Sequence, residues 1–442
     1  MNTQLKLITG LVFLFSLGQI QAQENIEMTL DELKSQVLQN NRSLQVNESE
    51  FRKKRAQYRQ TNAAFLPQLN VSHNFYRTNN PVQAFGTLLN QGAFTEQDFQ
   101  IDNLNNPSAI TNFTTALSIK QPVVNVDKWV QRSALSAQRQ AQELQNTFEK
   151  KALLVEVEKL YMQLQLAYKG VEVLEQTREI ALQNYEDIQN FYDEGLLVMP
   201  DVLNAEVRLN EVENEYISAS NQLKTLSDYL LFLMDKDANA IIKPESKLEL
   251  NVVGLKDQNQ LETREDLLAV DLQTEAQQKM HTASKLSFLP TLNAFGNVQW
   301  FSDEVFTTDT RNFFVGASLN WSIFEGGKKI AKLQEDAARL DEAQLEASMY
   351  ASQSSLELEK AKRQVQEAEQ KLNRNRLSLE QAEKAYNIRK DRFEEGLERT
   401  TDLLQAEQQQ SAMRLAYNQS IFEFNYAQLY VQFLANNYTY EN

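Results

Sequence analysis

The chain has no cysteine among its 442 residues. A disulfide framework, a thiolate metal site and a lipid-modified cysteine anchor are therefore all excluded. Histidine is nearly as scarce: His73 and His281 are the only two, which leaves little for zinc ligation or an acid–base relay. There is no Gly-rich phosphate loop. With these gaps no catalytic constellation can be assembled, and the chain reads as a non-enzyme with no cofactor and no metal. Basic residues are in deficit, 44 Lys and Arg against 60 Asp and Glu, for a formal charge of −16, which argues against nucleic acid as a partner. Charged residues still make up 24% and mean hydropathy is −0.51, so the chain is not a bundle of transmembrane helices. Only twelve glycines and seven prolines are available to divide it.

One apolar run stands apart. Leu7 to Leu17 follows Lys6 and precedes Ile20-Gln21-Ala22, the pattern of a secretory signal with a small-residue cleavage site. Residues 1–22 are read as that signal.

The rest is organised around two stretches that repeat one another. Phe191-Tyr-Asp-Glu-Gly195-Leu196-Leu-Val-Met-Pro-Asp201 and Phe393-Glu-Glu-Gly396-Leu397-Glu-Arg-Thr-Thr-Asp402 each end a very long helical pattern and start a second one. Gly195 and Gly396, Asp201 and Asp402, and Glu206 and Glu407 are all 201 positions apart. Glycine suits a point where a helix must stop and reverse, because it takes φ > 0 at no steric cost. Both stretches are read as helical hairpin tips.

Ahead of each long helix the chain also repeats. Phe65-Leu-Pro67-Gln-Leu69-Asn70 is echoed by Phe288-Leu-Pro290-Thr-Leu292-Asn293. In both places a helical pattern (Thr29 to about Ala64 in the first) stops at the proline and gives way to strict alternation, the period of a strand. Strands are expected at about 68–77, 113–121, 291–302 and 313–322. A polar loop is expected from about Arg77 to Asn112. The long helices are expected at 125–194 and 328–395, each on the order of 100 Å at 1.5 Å per residue. Ala134, Ala137, Ala141, Leu144 and Phe148 form a heptad seam in the first. The return helices and the helices before the strands are half that length, so two stacked end to end would match one long helix. The chain thus divides into repeat 1 (23–235), a connector (236–263) and repeat 2 (264–442).

Each strand has the length to cross a bilayer when tilted, with one apolar and one polar face. Phe75, Tyr76, Trp300, Phe301, Phe313 and Trp321 gather toward strand ends, as interfacial aromatic girdles do. Four strands leave two open edges, which lipid does not tolerate, so closure must be intermolecular. Three copies would give twelve strands; two would give eight, filled by side chains.

With its paired Phe-Leu-Pro-x-Leu-Asn motifs, Leu319-Asn-Trp-Ser-Ile-Phe-Glu-Gly-Gly327 and the two Gly-Leu tips, the chain resembles the TolC-like outer-membrane factor family over essentially its whole mature length. The resemblance implies a mostly α fold with β: a homotrimer with a twelve-stranded β-barrel in the outer membrane and a coiled-coil-like α-helical barrel in the periplasm. It implies a passive exit duct for efflux or type I secretion. The tips Gly195, Leu196, Gly396 and Leu397 would dock on a periplasmic adaptor (membrane fusion protein). That adaptor would bind an inner-membrane RND, ABC or MFS transporter. Asp402 and Asp201 are the gate candidates at the periplasmic mouth, although Gln405 stands where relatives carry a second acid. A helix-dipole role for both aspartates is the simpler alternative. A periplasmic adaptor with a helical hairpin of its own is the alternative for the whole chain, but this chain has two hairpins and bilayer-length strands.

Overall fold

The computed structural model describes residues 24–252 and 260–439; the signal expected at 1–22 lies outside them. In chain order the elements are β1 (Glu24–Met28), α1 (Leu30–Asn40), α2 (Arg42–Gln60), β2 (Gln68–Thr78), α3 (Pro81–Gln91), α4 (Ile101–Asn105) and β3 (Ile110–Val124). There follow α5 (Val126–Asp193), α6 (Met199–Leu233), β4 (Ala240–Pro244), α7 (Glu265–Leu286), β5 (Thr291–Ser302), β6 (Thr310–Asn320), α8 (Lys328–Glu394) and α9 (Thr400–Leu434). The long helices α5 and α8 run 68 and 67 residues without a break. No helix among the described residues is long and apolar enough to cross a membrane.

Two compact units can be distinguished. The first comprises the chain up to Asn47, Thr147–Arg264 and the chain from Gln353. Its apolar core has Leu33 and Val37 of α1, Val157 and Leu164 of α5, and Leu230 and Leu231 of α6 fully buried. A two-stranded parallel ribbon of β1 and β4, with Ile26 opposite Ile242, closes this core. Neither strand was legible in the sequence, because five residues are too few to show a period. The start of α1 is fixed by a reciprocal cap: Glu32 N donates to Thr29 Oγ1 (3.1 Å) and Thr29 N to Glu32 Oε2 (3.0 Å). The hydrogen bond from the Thr29 backbone, with that of its side chain, holds the Glu32 carboxyl below its ordinary value.

The helix expected from Thr29 to Ala64 is interrupted at Asn41. Its Oδ1 accepts from Ser43 N (3.0 Å) and Leu44 N (3.3 Å), which starts α2 afresh. Its Nδ2 donates to Leu233 O at the end of α6 (2.9 Å). The second repeat builds the same joint with another residue: Arg264 Nη1 donates to Leu434 O at the end of α9 (3.3 Å). Asp235 and Asn436, again 201 apart, both sit in the left-handed region (φ 57° and 56°) and terminate these helices.

The second unit comprises 48–146 and 265–352. It holds a four-stranded antiparallel sheet in the order β2-β3-β5-β6. β2 and β6 are its edges, with no further strand paired to either among the described residues. β3 runs past Pro122, where the sequence suggests a stop, and absorbs it in a bulge between Pro122 and Val124. β6 ends at Asn320, so Trp321 falls just beyond it and donates Nε1–H to Phe288 O (2.9 Å). Pro67 and Pro290 each stand one residue before a strand, at β2 and β5. Within α5, Ala134, Ala137 and Ala141 are buried.

The segment read as a polar loop is partly helical. Asn80 caps α3 by accepting from Val82 N (3.1 Å) and Gln83 N (3.2 Å), Pro81 occupies its first turn, and Gly92 ends it at φ 67°. That Asn-Pro start and Gly stop was visible in the sequence as a helix signature.

Candidate functional site

The two tips share one geometry. Gly195 and Gly396 both adopt φ 75°. Gly195 N donates to Tyr192 O (2.9 Å) and Leu196 N to Phe191 O (2.8 Å); Gly396 N donates to Phe393 O (2.9 Å) and Leu397 N to Arg392 O (2.8 Å). These are the paired bonds of a helix ending on a left-handed residue, and they satisfy the last carbonyls of α5 and α8. A Cβ added at either glycine would meet nothing within 4 Å. The requirement for glycine is therefore one of backbone conformation and not of space.

Beneath the turns the hairpins share one core. Phe191 meets Phe393 edge to face at 5.6 Å. Ile188, Val202, Tyr386 and Leu403 are buried around them. Leu196 and Leu397 instead point outward, 66% and 61% exposed.

The charges of the two tips differ sharply. From Gln183 to Glu206 there are acids (Glu186, Asp187, Asp193, Glu194, Asp201 and Glu206) and no base. Asp201 is a first-turn residue of α6 whose Oδ2 accepts a long 3.4 Å bond from Val198 N. The second tip pairs its charges internally. Glu398 accepts from Arg389 Nη1 (3.0 Å) and Arg392 Nε (2.9 Å). Asp402 accepts both Nε (3.0 Å) and Nη2 (3.3 Å) of Arg399, with Arg389 Nη1 4.0 Å away. The i, i+3 spacing of Arg399 and Asp402 was the sequence signal for this pair, and charge counting alone misses it.

A deeper link joins the two return helices. Arg208 of α6 donates Nε to Glu407 Oε2 (2.9 Å) and Nη2 to Oε1 (3.2 Å). The two side chains are only 7% and 1% exposed. Arg208 Nη1 also lies 3.5 Å from Glu211 and 3.9 Å from Glu215. Burial pushes the Glu407 carboxyl up, against the pull of Arg208. Glu206, its counterpart by sequence, is exposed. Sequence duplication could not identify this pair, because Arg208 has Gln409 as its counterpart 201 positions on.

The sheet carries the other candidate surface. Its register aligns Val71, Leu117, Val298 and Phe313 in one row across all four strands. Leu69, Ile119, Gly296 and Val315 form the next row on the same face. The opposite face presents Asn70, Ser118, Asn297 and Phe314, and Ser72, Ala116, Gln299 and Asn312, rows that are mainly polar but broken by Phe314 and Ala116. The aromatic set divides between them. Phe75, Trp300 and Phe313 belong to the apolar face. Tyr76 and Phe301 fall on the hydrophilic face, opposite Asn112 and Thr114. Tyr76 Oη lies 2.9 Å from Thr87 Oγ1 of α3, and Phe301 is buried. Trp321, one residue past β6, is 60% exposed; Tyr76 and Phe301, two of the six, depart from the girdle reading, because alternation decides the face and clustering near strand ends does not. On the hydrophilic face Gln91 of α3 clamps the ends of two strands, donating Nε2 to Thr111 O (2.9 Å), Asn112 Oδ1 (3.0 Å) and Ser302 O (3.1 Å).

The sequence matches the model of the outer membrane efflux protein family over residues 33–234 and 258–421. No curated protein matches it in sequence. Among solved structures it is similar to CusC, a protein described for its folding and transmembrane channel formation, with TM-score 0.79, 16% identity, and 93% of this chain and 92% of that one covered. It is also similar to the outer membrane protein VceC of Vibrio cholerae, with TM-score 0.77, 18% identity, and coverage of 91% and 95%. A third likeness is to the CmeC outer membrane channel of Campylobacter jejuni, with TM-score 0.77, 16% identity, and coverage of 92% and 85%. At these identities the structures speak to the fold, whereas the family match spans most of both repeats. The chain therefore belongs to the outer membrane efflux protein family, a family of outer-membrane channels with a periplasmic helical part and not of enzymes.

Proposed function

We propose that the protein is the outer-membrane exit duct of a tripartite efflux or type I secretion system. Three copies close a twelve-stranded barrel, and the helices form a tunnel on the periplasmic side. Substrate passes through passively, delivered by an inner-membrane transporter of the RND, ABC or MFS class and a periplasmic adaptor. The observation that carries this reading is the sheet: four bilayer-length strands, apolar on one face and mainly polar on the other, with no further strand paired to either edge among the described residues. Such a sheet is viable in lipid only when its edges are paired by further strands. The tips supply the docking end, where Leu196 and Leu397 are exposed beside the left-handed turns at Gly195 and Gly396. In this reading Asp402, with Arg399 against it, and Asp201 stand at the periplasmic mouth. Reconstitution into planar bilayers tests the proposal. The purified protein should give discrete conductance steps, and a correctly inserted protein that passes no ions would overturn the duct.

A further inference from the structure

A cleft of the second unit lies on the hydrophilic side of the sheet and has a volume of about 820 Å³. It is bounded by the ends of β2, β3, β5 and β6, by α2 and by the first turns of α5. Three lysines line it: Lys54 of α2, Lys120 of β3 and Lys128 of α5. No aspartate or glutamate does. In a chain with 60 acids and 44 bases this is a local inversion of the overall charge. None of the three ammonium groups has a carboxylate within ion-pair distance among the described residues; Lys128 Nζ donates to Gln131 Oε1 (3.1 Å). Asp127 is next to Lys128 in sequence but is not among the lining side chains. The rest of the wall is largely amide, with Gln68, Asn125 and Asn293 among its donors.

Register places the cleft away from lipid. Lys120 is opposite Gln68 and Phe295, and so lies on the face that carries Asn70, Ser118 and Asn297, away from the Val71–Phe313 row. Lysines that line one cleft without paired carboxylates raise the local concentration of anions. Amide N–H groups add hydrogen bonds that suit carboxylate or phosphate oxygens.

We infer that this cleft is an anion-binding station on the transport path, and that the cargo of the duct includes small organic molecules with two or more negative charges, such as polycarboxylates or phosphate esters. The inference rests on the duct reading and adds to it a substrate class. Cations are repelled at this point by the same three charges, so the cleft would oppose any cation preference set at the periplasmic mouth.

The test uses the full-length protein in planar bilayers of phosphatidylcholine, with citrate as the probe. Citrate should reduce the parent's current in the millimolar range. The triple variant Lys54→Gln, Lys120→Gln, Lys128→Gln should weaken that block on the order of tenfold and shift the reversal potential in a KCl gradient toward cation preference. Lys53→Gln is the control, since Lys53 does not line the cleft and is paired with Glu50 (2.7 Å); it should behave as the parent. Unchanged citrate block in a conducting triple variant overturns the inference and leaves the duct standing. An effect seen only when anionic lipid is added would assign the lysines to headgroups and also overturn it. Absence of any conductance from the parent would overturn the duct reading, and the anion station with it.

Discussion

At the scale of single residues, two charge pairs do different work because their surroundings differ. Arg208 has three carboxylates within 4 Å, whereas Glu407 has one guanidinium. Removing either partner is therefore not symmetrical. Arg208→Met leaves a buried carboxylate with no counter-charge and should cost about 3–5 kcal/mol. Glu407→Gln leaves Arg208 beside Glu211 and Glu215 and should cost less; equal losses in denaturant unfolding would contradict this. The pH dependence follows from the raised Glu407 carboxyl. The native state holds that proton to higher pH than the unfolded chain does, so this group's contribution is full below the ordinary glutamate range and declines as pH rises through the raised value. The stability difference between the parent and Glu407→Gln should narrow over that interval; a widening difference would contradict the assignment. Asp402, half-buried, is the other case, with Arg399 on both its oxygens. Arg399→Gln should uncover the carboxylate and increase cation preference, and Asp402→Asn should decrease it. If reversal potentials match the parent in both, Asp402 is a helix-dipole partner and has no part in ion preference.

At the scale of elements, the most legible features were those with a long period or a required backbone. Helices α5 and α8 show because almost seventy residues pass without a break, and the four strands show because alternation persists over eleven or more residues. Gly195 and Gly396 could be placed at turns from sequence because few other residues take φ near 75°. What stayed hidden depends on partners distant in the chain. Asn41 looks like any polar helix residue until Leu233 O is beside it, and Arg208 gives no sign of Glu407, 199 positions away. The ribbon of β1 and β4 needs a pairing across more than two hundred residues to exist at all. The tips give the sharpest prediction here. The Cβ of a valine at Gly195 or Gly396 meets no neighbouring atom, so the main cost is the left-handed backbone, about 1–2 kcal/mol per site. Asparagine, which tolerates that region, should restore most of the loss. Thermal unfolding and co-purification with the adaptor measure the two consequences, and a valine variant with unchanged stability and unchanged adaptor retention would remove the turn from the docking role.

At the scale of the whole molecule, the open edges of the sheet decide what the chain must do next. β2 and β6 carry exposed Leu69, Val71, Phe313, Val315 and Leu319 along edges to which no further strand pairs among the described residues. In water such edges invite aggregation. In lipid each unsatisfied N–H and C=O costs several kcal/mol, so in the proposed duct the edges are closed by another copy. Pairing β6 of one chain with β2 of the next is head-to-tail, and a head-to-tail contact either closes into a ring or continues without end. The number of copies at closure is then a property that can be counted. The absence of cysteine makes the count direct, because the introduced thiols are the only ones in the chain. With Ser72→Cys in β2 and single cysteines scanned along β6 from Asn312 to Ser318, oxidation in the membrane should link neighbouring chains at matching register. The linked ladder should stop at three chains, in agreement with the mass of the detergent-solubilised particle. A ladder that stops at two would mean an eight-stranded barrel whose interior is filled by side chains, incompatible with a duct. A ladder that runs on without a stop would mean an open assembly, and the twelve-stranded barrel would be wrong.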